Sequence, residues 1–219
     1  MKLSAKTISV LKNFSTINPS IMFRQGNSLA TMSPHKTIMA KATIDDLITN
    51  DFGVFELNRF LSVLSLFSDP ELVFSDKNYV KITDGKQSVN YIFGDPENMV
   101  LPPNKEMKAI DPYFEFDLTS EQHQSLMKAA GVLQLPEVSV VGVNGEVFYR
   151  AVDVKNPTNN SFELKVGTTN KNFNVIFKSE NMKIMSDTYH VTIARGIALF
   201  KSSSLEYWIA TEANSKYED

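Results

Sequence analysis

The sequence predicts an α+β chain built as two repeated domains, and three observations predict it. Short runs of period-2 alternation, bounded by turn residues, fill most of the 219 positions, and few stretches have helical spacing. The order helix, hairpin, strands, helix, three strands occurs twice. Between the two rounds, Gly94 to Pro112 holds Pro96, Pro102, Pro103 and Pro112 with no sustained period. That break divides the chain into a domain over 1–95, a linker over 96–112 and a domain over 113–219. Met99, Val100, Leu101, Met107 and Ile110 make the linker more apolar than a free tether.

In the first round, Ile8, Leu11 and Phe14 recur at near-helical spacing, so Thr7 to Phe14 reads as a helix with Ser4 as its N-cap. Two β-prone runs around Gln25-Gly26-Asn27 predict a hairpin. Lys36 to Ile44 reads as a strand. Glu56 to Phe67 is the clearest helix, with Leu57, Phe60, Leu61, Leu64 and Phe67 on one stripe and Asn58, Arg59, Ser62 and Ser65 on the other. Strands follow at Glu71 to Ser75, Tyr79 to Thr83 and Ser88 to Phe93, separated by Asp76-Lys77-Asn78 and Asp84-Gly85 turns.

The second round repeats this. Tyr113 to Leu118 alternates like a strand, and Ser120 to Ala130 is a helix capped by Thr119 or Ser120. Val138 to Val143 and Val147 to Ala151 flank Asn144-Gly145, a strong hairpin signal. Phe162 to Val166 and Phe173 to Phe177 read as strands, Ser179 to Met185 as a short helix, and Tyr189 to Ala194, Ile197 to Lys201 and Leu205 to Thr211 as three closing strands. Three landmarks fix the repeat: Lys12 with Lys128, Ser68-Asp69 with Ser186-Asp187, and Tyr91-Ile92-Phe93 with Tyr207-Trp208-Ile209, at offsets of 116, 118 and 116.

Composition narrows the function. With 42% hydrophobic residues and 15 Phe, the chain can bury a real core, and with no cysteine it has neither a disulfide framework nor a thiolate site. No apolar run approaches the roughly 18 residues of a membrane span. Lys6 and Lys12 interrupt what a signal peptide would keep apolar, so a soluble cytoplasmic protein is expected. The net charge is -3, which by itself argues against a nucleic-acid partner. The charge is uneven, however. The predicted helical segments carry +3 over Met1 to Phe14, nothing net over Glu56 to Phe67 or Ser120 to Ala130, and +1 over Phe177 to Ser186, so the remainder carries -7. Either these lysines simply solvate exposed helix faces, or the helices share a basic surface while the sheets face acidic solvent. Ser9, Asn13, Ser62, Ser65, Gln124 and Ser125 beside the lysines suit approach to a phosphate backbone without base reading.

No catalytic pattern emerges. His35, His123 and His190 fall in separate elements with no ligand spacing and read as surface or strand residues. Nucleophile-elbow, Walker, dinucleotide and zinc-protease motifs are absent, and the adjacent Asp45 and Asp46 point apart on a strand or cap a turn. The sequence is expected to be non-enzymatic, with neither cofactor nor metal.

The segments MKLS…TISVLKNFSTIN, ELNRFLSVLSLFSD, FNVIFKSENMKI and EYWIATEANS, in that order along nearly the whole chain, resemble the sliding clamps of T-even-type bacteriophages, the gene 45 family of DNA polymerase processivity factors. The resemblance is weakest around Asp95 to Asp117 and Asn156 to Thr169. It implies two repeated DNA-clamp domains per subunit and a homotrimeric ring around duplex DNA, with helices lining the bore and antiparallel sheets outside. It also implies sequence-independent DNA contact and two protein partners, the replicative polymerase and a clamp loader, in an infected bacterial host. Late-transcription proteins are a further candidate partner, and a two-domain phage scaffold that never meets DNA is the alternative function.

Carried over by position, the bore-facing candidates are Lys6 and Lys12 on the first helix, Arg59, Ser62 and Ser65 on the second, Lys128 on the third, and Lys178 and Lys183 on the fourth, with Lys2 just before the first. The second helix departs from the basic pattern of some clamps. The family's apolar pocket for partner peptides maps onto Leu101 and Pro102 of the linker, Met39 on an early strand, and Trp208 and Ala210 near the end. For ring closure, Ser88 to Phe93 is expected to pair with Phe162 to Val166 of the next subunit.

Overall fold

The computed structural model describes residues 1–104, 107 and 109–218, which divide into two units, Met1–Glu106 and Met107–Asp219.

In the first unit, α1 (Ala5–Ile17) begins where the Ser4 hydroxyl accepts the Thr7 N–H at 3.2 Å. It buries Val10, Leu11, Phe14 and Ile17, one residue in every three or four, against the unit's core. Strand β1 (Ile21–Phe23) and strand β2 (Gly26–Met32) do not form the expected hairpin. The chain turns at Gly26, whose φ is +122°, and each strand takes another partner: β2 pairs with the next strand, β3 (Ile38–Ile48), and β1 with the more distant β4 (Phe52–Val54). Helix α2 (Leu57–Leu64) ends three residues before the expected Phe67, yet Phe67 stays buried beyond it. Strands β5 (Glu71–Val73), β6 (Tyr79–Thr83) and β7 (Ser88–Ile92) form an antiparallel sheet in that order. Met1 extends it by exchanging backbone hydrogen bonds with Leu72 at 2.7 and 2.8 Å. The core is a cluster of phenylalanines: Phe23 stacks on Phe52 at 4.4 Å, and Phe60, Phe74 and Phe93 close around them. Gly53 and Gly94 are needed here, because their backbones meet in a 2.8 Å hydrogen bond and a Cβ on Gly53 would lie 2.5 Å from the Gly94 oxygen.

In the second unit, β8 (Phe114–Leu118) leads into α3 (Ser120–Leu133). Thr119 and Gln122 form a reciprocal capping box, which decides the cap for Thr119. Strands β9 (Glu137–Val143) and β10 (Glu146–Val152) join through Asn144-Gly145 with φ of 52° and 84°, the geometry of a type I′ turn. Strands β11 (Phe162–Thr168) and β12 (Phe173–Lys178) flank this hairpin. Strands β13 (Tyr189–Ala194), β14 (Ile197–Lys201) and β15 (Leu205–Ala210) follow as a meander, with β8 on the free side of β13. The short β16 (Lys216–Tyr217) then adds to β12.

The fourth helix expected over Ser179 to Met185 does not form. A single 3-10 turn, Ser179–Asn181, is followed by irregular chain. The repeat is nevertheless visible in side-chain roles. Tyr91 packs edge-on to Phe60 and donates its hydroxyl to the Glu56 oxygen just before α2. Tyr207, its landmark partner, lies edge-on to Tyr189 and accepts the Met185 N–H after the 3-10 turn.

Candidate nucleic-acid interface

The exposed helical faces follow directly from the buried ones. In the first unit, α1 packs against α2 and β3, which turns Lys6, Ser9, Lys12 and Thr16 outward on one stripe and Asn58, Arg59 and Ser62 of α2 outward on another. In the second unit, α3 packs against β10 and β11, and Glu121, Gln124, Ser125 and Lys128 line its outer stripe. Counted over the helices as they form, the charge is +3 (Lys6, Lys12, Arg59, Lys128 against Glu121) in a chain of -3. The helices are therefore net cationic because they hold only one acid, Glu121, even with the fourth helix gone.

Each expected interface residue has a definite setting. Lys2 is exposed ahead of α1 and ion-pairs with Asp69, which raises its pKa. Lys6 lies 3.4 Å from Asp45 of β3, and Arg59 lies 3.1 Å from Glu56. Lys12, Lys128 and Lys178 are exposed and form no ion pair among the described residues. Ser62 and Ser65 are exposed, but each hydroxyl donates back to a carbonyl of its own segment, Asn58 at 2.9 Å and Ser62 at 2.7 Å. Ser65 sits at the C-cap of α2 rather than within it. Lys178 and Lys183 are not helical: Lys178 ends β12, and Lys183 is half-buried in the irregular chain after the 3-10 turn.

Reading the sequence missed the acids that partner these cations. Asp69 stands out there only as a repeat landmark, and Asp45 only as one of two adjacent carboxylates. The two carboxylates do diverge as expected. Asp45 faces Lys6, whereas Asp46 accepts the Ser4 N–H at 2.7 Å at the start of α1. Partial burial opposes ionisation of Asp46, but hydrogen bonds from Thr7 and Ser4 outweigh it and hold its pKa below the usual carboxylate value.

Beneath α3 lies His123, which is neither the surface residue nor the strand residue that its sequence context suggests. It is only 5% exposed; its Nδ1 lies 3.0 Å from the buried Tyr149 hydroxyl, and the ring also hydrogen-bonds the Met182 backbone. Desolvation pushes its pKa down to about 4 despite the Met182 bond. One residue on, Gln124 donates to the Ser186 hydroxyl at 3.0 Å. Adjacent α3 residues thus fasten the chain that carries Lys183.

The expected partner-binding residues occupy both units. In the first, Met39 is half-buried on β3 opposite Met32, and Leu101 and Pro102 are half-buried in the linker, where the preceding Val100 carbonyl accepts from the Asn18 side chain at 2.9 Å. In the second, Trp208 lies opposite Leu199 and Ala210 opposite Ile197, on the sheet face away from Tyr207. Trp208 is 8% exposed and Ala210 is half-buried. Among the described residues, no three His, Asp or Glu side chains converge to hold a metal ion, and no helix is long and apolar enough to cross a membrane.

Residues 2–101 match the family described as DNA polymerase processivity factor, and residues 115–213 match the C-terminal domain of the gp45 sliding clamp. The chain belongs to the sliding-clamp family. It is 34% identical to the sliding clamp of Vibrio phage KVP40, with 97% of this chain and 100% of that one covered. It is 32% identical to the sliding clamp of Escherichia phage RB69, with both chains fully covered. The proliferating cell nuclear antigen of Entamoeba histolytica is similar in fold, with a TM-score of 0.68 over 94% of each chain at 14% identity. The expected α+β clamp fold is therefore the observed one, and the protein is a processivity factor rather than the scaffold considered as the alternative.

Proposed function

We propose that three copies of the chain close head to tail into a ring around duplex DNA and tether the replicative polymerase, with no catalytic role of their own. One observation carries the reading: Lys12 and Lys128, related by the repeat, stand exposed on the outer stripes of α1 and α3, without acid partners among the described residues, in a chain of net charge -3. Lysines in that setting meet phosphates without reading bases, which lets a ring slide. Lys2, Lys6 and Arg59 add to that surface only on giving up the acids they pair with, and Lys178 and Lys183 add to it from outside any helix. Ser62 and Ser65, whose hydroxyls already donate to the Asn58 and Ser62 carbonyls, reach a phosphate through a bridging water.

Ring closure uses two sheet edges, β7 and β11, which end their sheets within their units. Ile92 on β7 is the repeat counterpart of Trp208, yet it is 65% exposed where Trp208 is 8% exposed. We assign its cover to β11 of the next copy. The ring works in the cytoplasm of an infected bacterium and is placed on DNA by a clamp loader. Partner peptides from the polymerase, the loader or late-transcription proteins engage Met39, Leu101 and Pro102 in the first unit and Trp208 and Ala210 in the second.

The test is Lys12→Glu combined with Lys128→Glu. Both sites are exposed, so the fold should change by no more than about 0.5 kcal/mol while loader-dependent primer extension fails. A stable double variant that extends primers normally overturns the DNA-facing assignment.

A further inference from the structure

The cations on the helical side of the first unit are mostly not free. Lys2 is paired with Asp69, Lys6 with Asp45 at 3.4 Å, and Arg59 with Glu56 at 3.1 Å. Only Glu56 adjoins the helix of its own partner; Asp45 is supplied by β3 and Asp69 by the chain beyond α2. In the second unit, Lys128 and Lys178 have no such acid among the described residues, and in the first unit neither has Lys12. The two units therefore hold their cations differently despite the repeat: Lys2, Lys6 and Arg59 of the first are paired with acids, whereas Lys128 and Lys178 of the second are not.

We infer that Asp45 and Asp69 are built-in counter-ions that limit how strongly the first unit holds duplex DNA. The inference rests on the reading that these helical faces meet DNA. A free surface lysine that meets a phosphate releases one condensed counter-ion from the DNA, and this release drives the binding. A lysine already held by a carboxylate must first give up that partner, and the freed carboxylate faces the phosphates as a like charge. Exposed ion pairs of this kind are weak, so they weaken a phosphate contact without abolishing it. A sliding ring needs that intermediate grip. The acids on β3 and after α2 supply it without removing the lysines.

The experiment uses the intact assembled protein and a short linear duplex, with affinity followed by anisotropy across a salt series. Asp45→Asn with Asp69→Asn is expected to raise affinity several-fold at low salt. It should also steepen the slope of log affinity against log salt by about 0.9 for each further phosphate that the released lysines neutralise. Two comparisons make the result specific. Lys12→Gln with Lys128→Gln should flatten the slope. Asp117→Asn with Glu206→Gln adds the same charge on the sheet face that carries His190 and Lys201, and should leave the slope unchanged. If the Asp45 and Asp69 variant keeps the parent slope while the lysine variant flattens it, the helices meet DNA and the counter-ion inference is wrong. Equal steepening from the Asp117 and Glu206 variant also overturns it, because net charge alone would then account for the effect. If the lysine variant leaves the slope unchanged, the DNA-facing reading fails and the inference fails with it.

Discussion

Acidification should unfasten α3 through a single buried side chain. His123 has a folded pKa of about 4, against 6.5 for an ordinary histidine, because burial disfavours its cation. Protonation would also force Nδ1, which faces the Tyr149 hydroxyl at 3.0 Å, to donate toward a phenol that is itself fully buried. The folded chain thus resists a proton that the unfolded chain accepts below pH 6.5. Its share of stability is complete above the unfolded pKa and is lost progressively as pH falls toward 4. The full difference is worth about 3 kcal/mol per subunit, and about 2 kcal/mol of it disappears between pH 7 and pH 5. Urea unfolding of the wild type and of His123→Gln at pH 7, 6 and 5 isolates the contribution. Gln keeps a hydrogen-bonding side chain but does not titrate. His190, whose pKa is raised by its hydrogen bond to Asp117, gains stability on acidification instead, and it acts equally in both proteins. The wild type should lose about 2 kcal/mol more than the variant over this range. Parallel pH dependences would refute the assignment of a neutral, buried His123.

Three further outcomes are expected. Asp46→Asn removes the carboxylate that accepts the Ser4 N–H at the start of α1; it should cost about 1 kcal/mol at pH 7, and the difference should vanish as pH falls through the lowered Asp46 pKa, measured by thermal unfolding. Asn90→Pro should yield monomers that still fold. Phe93 donates to Asn78, so along the β6–β7 ladder the Asn90 N–H points away from β6 to the open edge, and a variant still trimeric by light scattering at low micromolar concentration counts against β7 as the joining strand. A C-terminal peptide of the cognate polymerase should shift the emission of Trp208, the only indole, and Leu101→Ala should weaken that peptide; calorimetric binding with unmoved emission removes Trp208 from the partner site.

What could be read from the sequence was local or pairwise. The Ser4 and Thr119 caps, the stripe of α2 and the Asn144-Gly145 turn each depend on residues within a few positions of one another, and each was found where expected. The turn at Gly26 was found too, but its strands pair elsewhere. A turn signal fixes where a chain bends and leaves open which strands take up the hydrogen bonds on either side.

The missing fourth helix has the clearest physical reason. A helix through Ser179 to Met185 would have to satisfy its own backbone groups at i and i−4. Here the Met185 N–H, which a helix would direct to the Asn181 carbonyl, is taken by a distant group, and the segment's two ends are fixed by others. The Ser179 N–H donates to the Pro136 carbonyl at 2.8 Å and its hydroxyl to the Leu135 carbonyl at 2.9 Å. The Met185 N–H donates to the Tyr207 hydroxyl, and its carbonyl accepts from the Tyr189 hydroxyl at 2.7 Å. Met182 and Ile184 are then buried two positions apart, an extended spacing that a helix could not direct to one side. In the first unit the counterpart tyrosine, Tyr91, reaches only the Glu56 carbonyl ahead of α2, and the helix forms. The same repeat thus gives a helix where one tyrosine stops short of the segment and a pinned loop where two tyrosines grip it. This explains why counting charge along the sequence marked the α1 segment as basic yet assigned Lys178 and Lys183 to an element that does not exist.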